Sequence, residues 1–227
     1  MEYKRVLTVQ DISCFGQCSL TVALPILSAC GVETCILPSA VLSTHTAGFK
    51  GFTFRDLTDD MPKILDHWKS ENISFDCIYT GYLGSITQIE YVKRMKNEFL
   101  PEGAKLIVDP AMGDNGKLYS IFDLEYAKEM AKLCAIADVI VPNITEACFM
   151  TGTQYKENYD EAYVDEVLKA LEKMGAKTVV LTGISYSPET TGVVVYENGK
   201  KQYYRHKKFE KGCHGTGDVY SSAFVGA

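Results

Sequence analysis

Seven residues near the end of the chain, Gly212-Cys213-His214-Gly215-Thr216-Gly217-Asp218, set three glycines beside one carboxylate. Glycines at a helix start let backbone N–H groups close on an anion, and the helix dipole adds to the attraction. A plain capped turn is the competing interpretation, with Asp218 no more than a negative charge in the first helical turn. Asn143-Ile144-Thr145-Glu146 follows Pro142 and has the spacing of a capping box, an asparagine cap with an acidic residue three positions on. Asp109-Pro110-Ala111-Met112-Gly113-Asp114 brings two carboxylates to a segment whose Asp, Pro and Gly are also ordinary turn residues. Smaller polar groups close other apolar runs: Asp11-Ile12-Ser13, Thr80-Gly81-Tyr82 and Thr182-Gly183.

The elements that must position these groups alternate in type. Strand-like runs are expected at 6–12, 33–37, 77–82, 105–108, 139–141 and 178–181, and amphipathic or apolar helices at 19–30, 57–71, 86–100, 124–134 and 160–174. In the 57–71 helix, Leu57, Met61, Ile64, Leu65 and Trp68 share one face. The runs 192–196 and 202–206, joined through Asn198-Gly199, read as a hairpin. A helix start is expected at Thr145–Met150, and a last helix begins at Thr216. Such alternation predicts an α/β fold, a mostly parallel central sheet with helices on both faces. Ligands then bind beyond the carboxyl ends of the strands, where the polar segments fall. Residues 39–54 are expected to be one long irregular stretch, a lid or a strand excursion over the sheet edge.

The chain has 227 residues, and its apolar and charged fractions are those of an ordinary folded domain, able to bury a core without disulfides or metals. A single domain over 1–227 is expected, with no repeat and no linker. The formal charge of −6 argues against nucleic acid or an anionic membrane surface as partner. The eight cysteines form no C-x-x-C and sit mostly in apolar runs, so reduced thiols in a cytoplasmic protein are expected. Neither a secretory segment nor a membrane span is expected. The four histidines lack metal-ligand spacing. Lys200, Lys201, Arg205, Lys207, Lys208 and Lys211 form a basic cluster that serves as a solvated hairpin face or steers an anionic ligand.

Gly215-Thr216-Gly217-Asp218, continued by Val219 to Phe224, resembles the signature of the ribokinase-like kinases, and the resemblance covers the chain from Val6 to Ala227. It implies that Gly215, Thr216 and Gly217 form an anion hole for a phosphoryl group in flight and that Asp218 takes the proton of the acceptor hydroxyl. Asn143 and Glu146 resemble the family's N-x-x-E motif, which implies roles near the phosphates and Mg2+. Asp109 and Asp114 resemble its D-P-x-x-G-D segment, near the metal or the phosphates of ATP. Thr182-Gly183 matches a threonine beside the phosphates. Ser13, Thr46 in Ser43 to Gly48, and Tyr82 in Thr80-Gly81-Tyr82-Leu83-Gly84 are similar to the pyridoxal kinase branch. There they contact a flat heteroaromatic substrate.

The resemblance therefore implies an ATP- and Mg2+-dependent kinase acting on the 5′-hydroxymethyl group of a B6 vitamer, with a monovalent cation as a further candidate and a homodimer as the expected assembly. Cys213 before the glycine turn is similar to variants close to the hydroxymethylpyrimidine kinases, and it either lines the loop or touches a substrate aldehyde. Two alternatives remain at this level: a hydroxymethylpyrimidine kinase of thiamine synthesis, and a non-catalytic vitamin-binding protein. Because the chain stops at Ala227, about three turns into its last helix, a C-terminal truncation is expected, with the family's final helices missing.

Overall fold

The structure, a computed structural model, describes residues 3–46, 48–209 and 214–227. In chain order the elements are β1 (Arg5–Ser13), α1 (Leu20–Ala29), β2 (Glu33–Leu42), β3 (Phe54–Asp56), α2 (Met61–Ser70), β4 (Cys77–Thr80), α3 (Ile86–Phe99) and β5 (Lys105–Val108). Then follow β6 (Gly113–Asp114), β7 (Lys117–Leu118), α4 (Leu124–Ile136), β8 (Val139–Ile140), α5 (Ile144–Thr151), α6 (Glu161–Met174), β9 (Thr178–Ser187), β10 (Thr190–Glu197), β11 (Lys200–Lys207) and α7 (Thr216–Gly226). The expected α/β class with mostly parallel strands is what is observed. The chain falls into two compact units, residues 1–107 with 213–227, and residues 108–212.

The first unit carries the strand order β5-β4-β1-β2-β3. β1 pairs in parallel with β2 on one side and with β4 on the other. A strand between two parallel neighbours is covered on both faces, so β1 is buried almost without interruption rather than in alternation. Trp68 of α2, Phe75 ahead of β4 and Phe99 of α3 meet with centroids 5.7 and 6.2 Å apart along the series, an aromatic wedge that fixes both helices. Ser85 caps α3 by accepting from the Gln88 N–H.

Two expectations fail here for identifiable reasons. Residues 39–54 are not one irregular stretch, because β2 runs on through Leu42 and β3 returns antiparallel, Ala40 opposite Asp56 and Leu42 opposite Phe54. The excursion over the sheet edge is the part of that expectation that holds. Pro38 suggests a strand end, yet β3 pairs only from Ala40 onward, so at Pro38 the strand is still an edge and loses no ladder bond on its outer side. The 57–71 helix starts only at Met61, Leu57 lying in the turn that leads into it.

In the second unit the order is β8-β9-β10-β11, with β8 parallel to β9 and the last two strands antiparallel. Asp160 caps α6 through the Tyr163 N–H at 2.9 Å, and Gly175 ends it with φ 115°. The expected hairpin is present and longer, Glu197 opposite Lys200 and Thr190 opposite Lys207. β9 also extends past its expected end at 181. Thr182 faces Val193 and Ile184 faces Gly192, so Gly183 is an extra residue at φ 70°, a glycine bulge that lets the strand continue while bending it.

Candidate functional site

In the first unit the carboxyl end of β1 meets the start of α7. Gly215 is the N-cap of α7 at φ 77°, and no side chain caps the helix. Among the described residues the first-turn amides thus have no side-chain cap, the condition in which a helix start binds an anion. A Cβ on Gly215 would collide with the backbone carbonyl of Gln17, so glycine is what allows the turn to lie against the 14–19 segment. A Cβ on Gly217 would meet nothing within 4 Å. Thr216 and Gly217 are both exposed, where a ligand can reach them.

Asp218 follows at the third helical position. Its carboxylate does not turn back on its own helix; Oδ2 accepts from the Ser19 N–H at 3.0 Å. Burial pushes its pKa up, the Asp11 charge adds to the rise, and the Ser19 N–H opposes it. A carboxylate made more basic than an ordinary aspartate is what proton abstraction from an alcohol asks for.

Around it stand Asp11, Ser13 and Tyr82. Asp11 is buried, and that burial raises its pKa against the hydroxyls of Ser19 and Ser13. Ser13 is 1% exposed and donates to Asp11 Oδ2 at 3.1 Å, so its hydroxyl is already engaged within the fold. Tyr82 is half-buried, its phenol pushed up by burial and then by the charges of Asp11 and Asp56. Thr46 is exposed, beyond His45. The His45 ring lies where a Cβ on Gly16 would be, and its centroid is 5.0 Å from Phe49 and 5.4 Å from His214. Cys213 lies outside the described residues.

The second unit gathers the remaining candidates around the N-terminus of α5. Asn143 and Glu146 form a complete capping box: Asn143 Oδ1 accepts from the Glu146 N–H at 3.0 Å, and Glu146 Oε2 from the Asn143 N–H at 2.8 Å. Glu146 Oε1 also accepts from the Met112 N–H, at 3.2 Å. Asn143 Nδ2 donates to the Gly113 carbonyl and the Gly116 N–H donates to Thr145 Oγ1, both at 2.9 Å, so the start of α5 holds the β6–β7 turn from two sides. Asp114, exposed, accepts from the backbone and side-chain N–H groups of Asn115. Thr182 forms a parallel bridge with Asn143 and donates its N–H to the Pro142 carbonyl at 2.9 Å.

Glu146 is 3% exposed and Asp109 8%. Burial first, then the neighbouring Asp109 charge, holds the Glu146 carboxyl well above the usual range, against the amides of Asn143, Met112 and Gly113. Among the described residues no three His, Cys, Asp or Glu side chains form a metal cage. The donor set instead suits Mg2+, which takes one or two carboxylates and fills its remaining positions with water and phosphate oxygens. Two buried carboxylates whose charges repel are also the kind of pair a cation stabilises.

The structure therefore gathers the predicted residues into two groups, Ser13, Tyr82 and Gly215 to Asp218 in one unit, and Asp109, Asp114, Asn143, Glu146, Thr182 and Gly183 in the other. Sequence reasoning missed Ser19, which gave no signal because its backbone conformation cannot be read from its type. Asp11 had one, a charge closing an otherwise apolar strand. A cavity of about 600 Å³ lined by Lys4, Val6, Asp76, Cys77 and Val225 opens at the amino ends of β1 and β4, the end that parallel sheets do not use for ligands.

Residues 24–227 match the family model described as phosphomethylpyrimidine kinase. Among curated proteins, a pyridoxal kinase of Dictyostelium discoideum is 31% identical over 98% of this chain and 77% of its own length. A crystal structure of a Bacteroides thetaiotaomicron protein assigned as a phosphomethylpyrimidine kinase, in a form with pyridoxal, is 40% identical with a TM-score of 0.92, covering 99% of this chain and 80% of that one. Pyridoxal kinase from Lactobacillus plantarum is 32% identical with a TM-score of 0.89, covering 99% and 81%.

Proposed function

Since the chain belongs to the phosphomethylpyrimidine kinase family, in its ribokinase-like pyridoxal kinase branch, we propose that it moves the γ-phosphoryl group of ATP onto the 5′-hydroxymethyl oxygen of a B6 vitamer. The observation that carries this reading is the start of α7: glycine-turn amides without a side-chain cap, followed by a basic carboxylate. The acceptor oxygen forms the new O–P bond as the β–γ bridging bond breaks. Its proton passes to Asp218, and ADP leaves. Gly215, Thr216 and Gly217 supply amide dipoles toward the charge of the transferring group, where fixed donors need no reorganisation. Tyr82 and Thr46 line the acceptor site, with Ser13 supporting it through Asp11, and Cys213, two residues ahead of Gly215 in the sequence, is a further candidate for contact with the substrate.

Asn143, Asp114, Thr182 and Gly183 bind the nucleotide phosphates, and Glu146 and Asp109 hold Mg2+, which when bound offsets phosphate charge. The capping box fits this role: by tying Glu146 to two backbone amides it fixes the carboxylate before any ligand arrives. A cytoplasmic homodimer completes the proposal, its mass testable by light scattering.

ADP release by the purified chain with ATP, Mg2+ and, in turn, pyridoxal, pyridoxine, pyridoxamine and hydroxymethylpyrimidine tests the reading. Turnover with a vitamer, reduced at least a hundredfold (roughly) by Asp218→Asn, is the expected result. Turnover with hydroxymethylpyrimidine alone would move the assignment to a hydroxymethylpyrimidine kinase of thiamine synthesis.

A further inference from the structure

Ser19 takes no part in the reaction as described, yet it is one of the few non-glycine residues with a positive φ. It precedes α1 as N-cap, but its side chain does not cap the helix. Its backbone is at φ 52° and ψ −128°, a conformation that turns usually reserve for glycine. It is 8% exposed. It is pinned on one side by an antiparallel bridge to Ile12 at the end of β1 and on the other by its N–H donated to Asp218 Oδ2. Its hydroxyl faces the Asp11 carboxylate and favours the charged form of it. The segment just ahead is locked as well, since the Gln17 carbonyl fills the space beside Gly215.

We propose that Ser19 and Asp11 are positioning residues for Asp218: the carboxylate is fixed from the end of β1, through the Ile12–Ser19 bridge and the Ser19 N–H, with the Asp11 charge beside it. The inference rests on the reading of Asp218 as the base. It explains why a strained serine occupies the turn. Only the positive-φ conformation lets one residue bridge Ile12, aim its N–H at α7 and turn its hydroxyl to Asp11. Asp11 gains a role of its own, because a second buried carboxylate disfavours ionisation of the first, keeping the base basic while the N–H keeps it aimed. Among the described residues the other titratable groups facing the pair are Cys18, its thiol pushed up to about 11 by burial and then by both carboxylates, and Tyr82 beyond β4; His45 and His214 flank the turn.

The Ser19 amide proton reports on this arrangement without substrate. Its chemical shift is followed against pH in the wild-type chain, Asp218→Asn and Asp11→Asn. The expected curve has an inflection above the ordinary aspartate range, reduced severalfold in amplitude in Asp218→Asn, where only Asp11 remains to titrate, and displaced to lower pH in Asp11→Asn. In turnover, Asp11→Asn lowers kcat about tenfold, leaves the KM for ATP within about twofold, and moves the acid limb of the kcat profile in step with the amide. An inflection of undiminished amplitude in Asp218→Asn, or one whose midpoint Asp11→Asn leaves in place, overturns the proposal. Full turnover by Asp218→Asn overturns instead the assignment of the base, and the amide titration tells the two failures apart.

Discussion

Gly215 and Gly217 stand two residues apart in the same turn, and alanine at each separates what the fold requires from what the ligand requires. At Gly215 the added Cβ meets two penalties. The residue is at φ 77°, where an L side chain costs about 1–2 kcal/mol. The Cβ would also overlap the Gln17 carbonyl, far inside the 3.0 Å that real Cβ atoms keep. The obstacle is backbone, so no side chain can swing aside, and relief of such overpacking costs about 1–3 kcal/mol more. The sum, about 2–5 kcal/mol, is a large part of a domain's stability. The movement that relieves the clash also draws α7 away from the 14–19 segment, which carries the Ser19 N–H to Asp218. A displacement on the order of an ångström at a reacting group lowers the rate roughly a hundredfold.

Gly217 offers the contrast. It lies inside the first helical turn with open space around its missing Cβ, and alanine there is a better helix former by up to about 1 kcal/mol. Gly217→Ala therefore keeps or gains stability, and any loss it shows is a loss of phosphate approach, seen as a raised KM for ATP. Urea unfolding and steady-state kinetics on both variants check the reasoning. Equal stability losses in the two, or wild-type kcat in Gly215→Ala, would refute it.

Three further outcomes follow from the same geometry. Burial raises the Asp218 pKa above 3.8. Such a group favours the folded state fully only below its unfolded value, and that contribution is lost as pH rises through its folded value. Asp218→Asn at pH 7 should thus lose turnover while its thermal midpoint stays level or rises, whereas a clear drop would show the carboxylate to be structural. Glu146 is raised well above 4.5 by burial and Asp109. By the same sign, the metal-free chain loses stability at this site as pH rises from about 4.5 through the folded value, and Glu146→Gln should flatten that slope in urea titrations at several pH values. At Gly183 the φ of 70° has open space around it. Gly183→Ala should cost about 1–2 kcal/mol from backbone strain alone, less than Gly215→Ala, and denaturant midpoints compare the two directly.

How far the sequence leads depends on which physical property decides each feature. The strands at 77–80, 105–108 and 139–140 were legible because a strand covered on both faces must be apolar throughout, and that shows in residue types. The positions of Asp109, Glu146 and Asp218 at a strand end or a helix start were legible because each closes an apolar run or opens a helix. Strand length was less so. Pro38 and Gly183 both suggest endings, and both are overruled by pairing: one by a neighbour that has not yet begun, the other by a bulge.

Ser19 was not legible at all, and the reason sets the limit. A serine ahead of an apolar helix reads as its cap. Here the cap is forgone because the bridge to Ile12 and the N–H bond to Asp218 together demand a positive φ, from which the side chain turns to Asp11 instead of the helix. Those partners lie 7, 199 and 8 positions away in the chain. The sign of φ at one residue is thus set jointly by β1 and α7. A local reading names the acid proposed to take the proton, but what holds that acid in place exists only once the two ends of the first unit have come together.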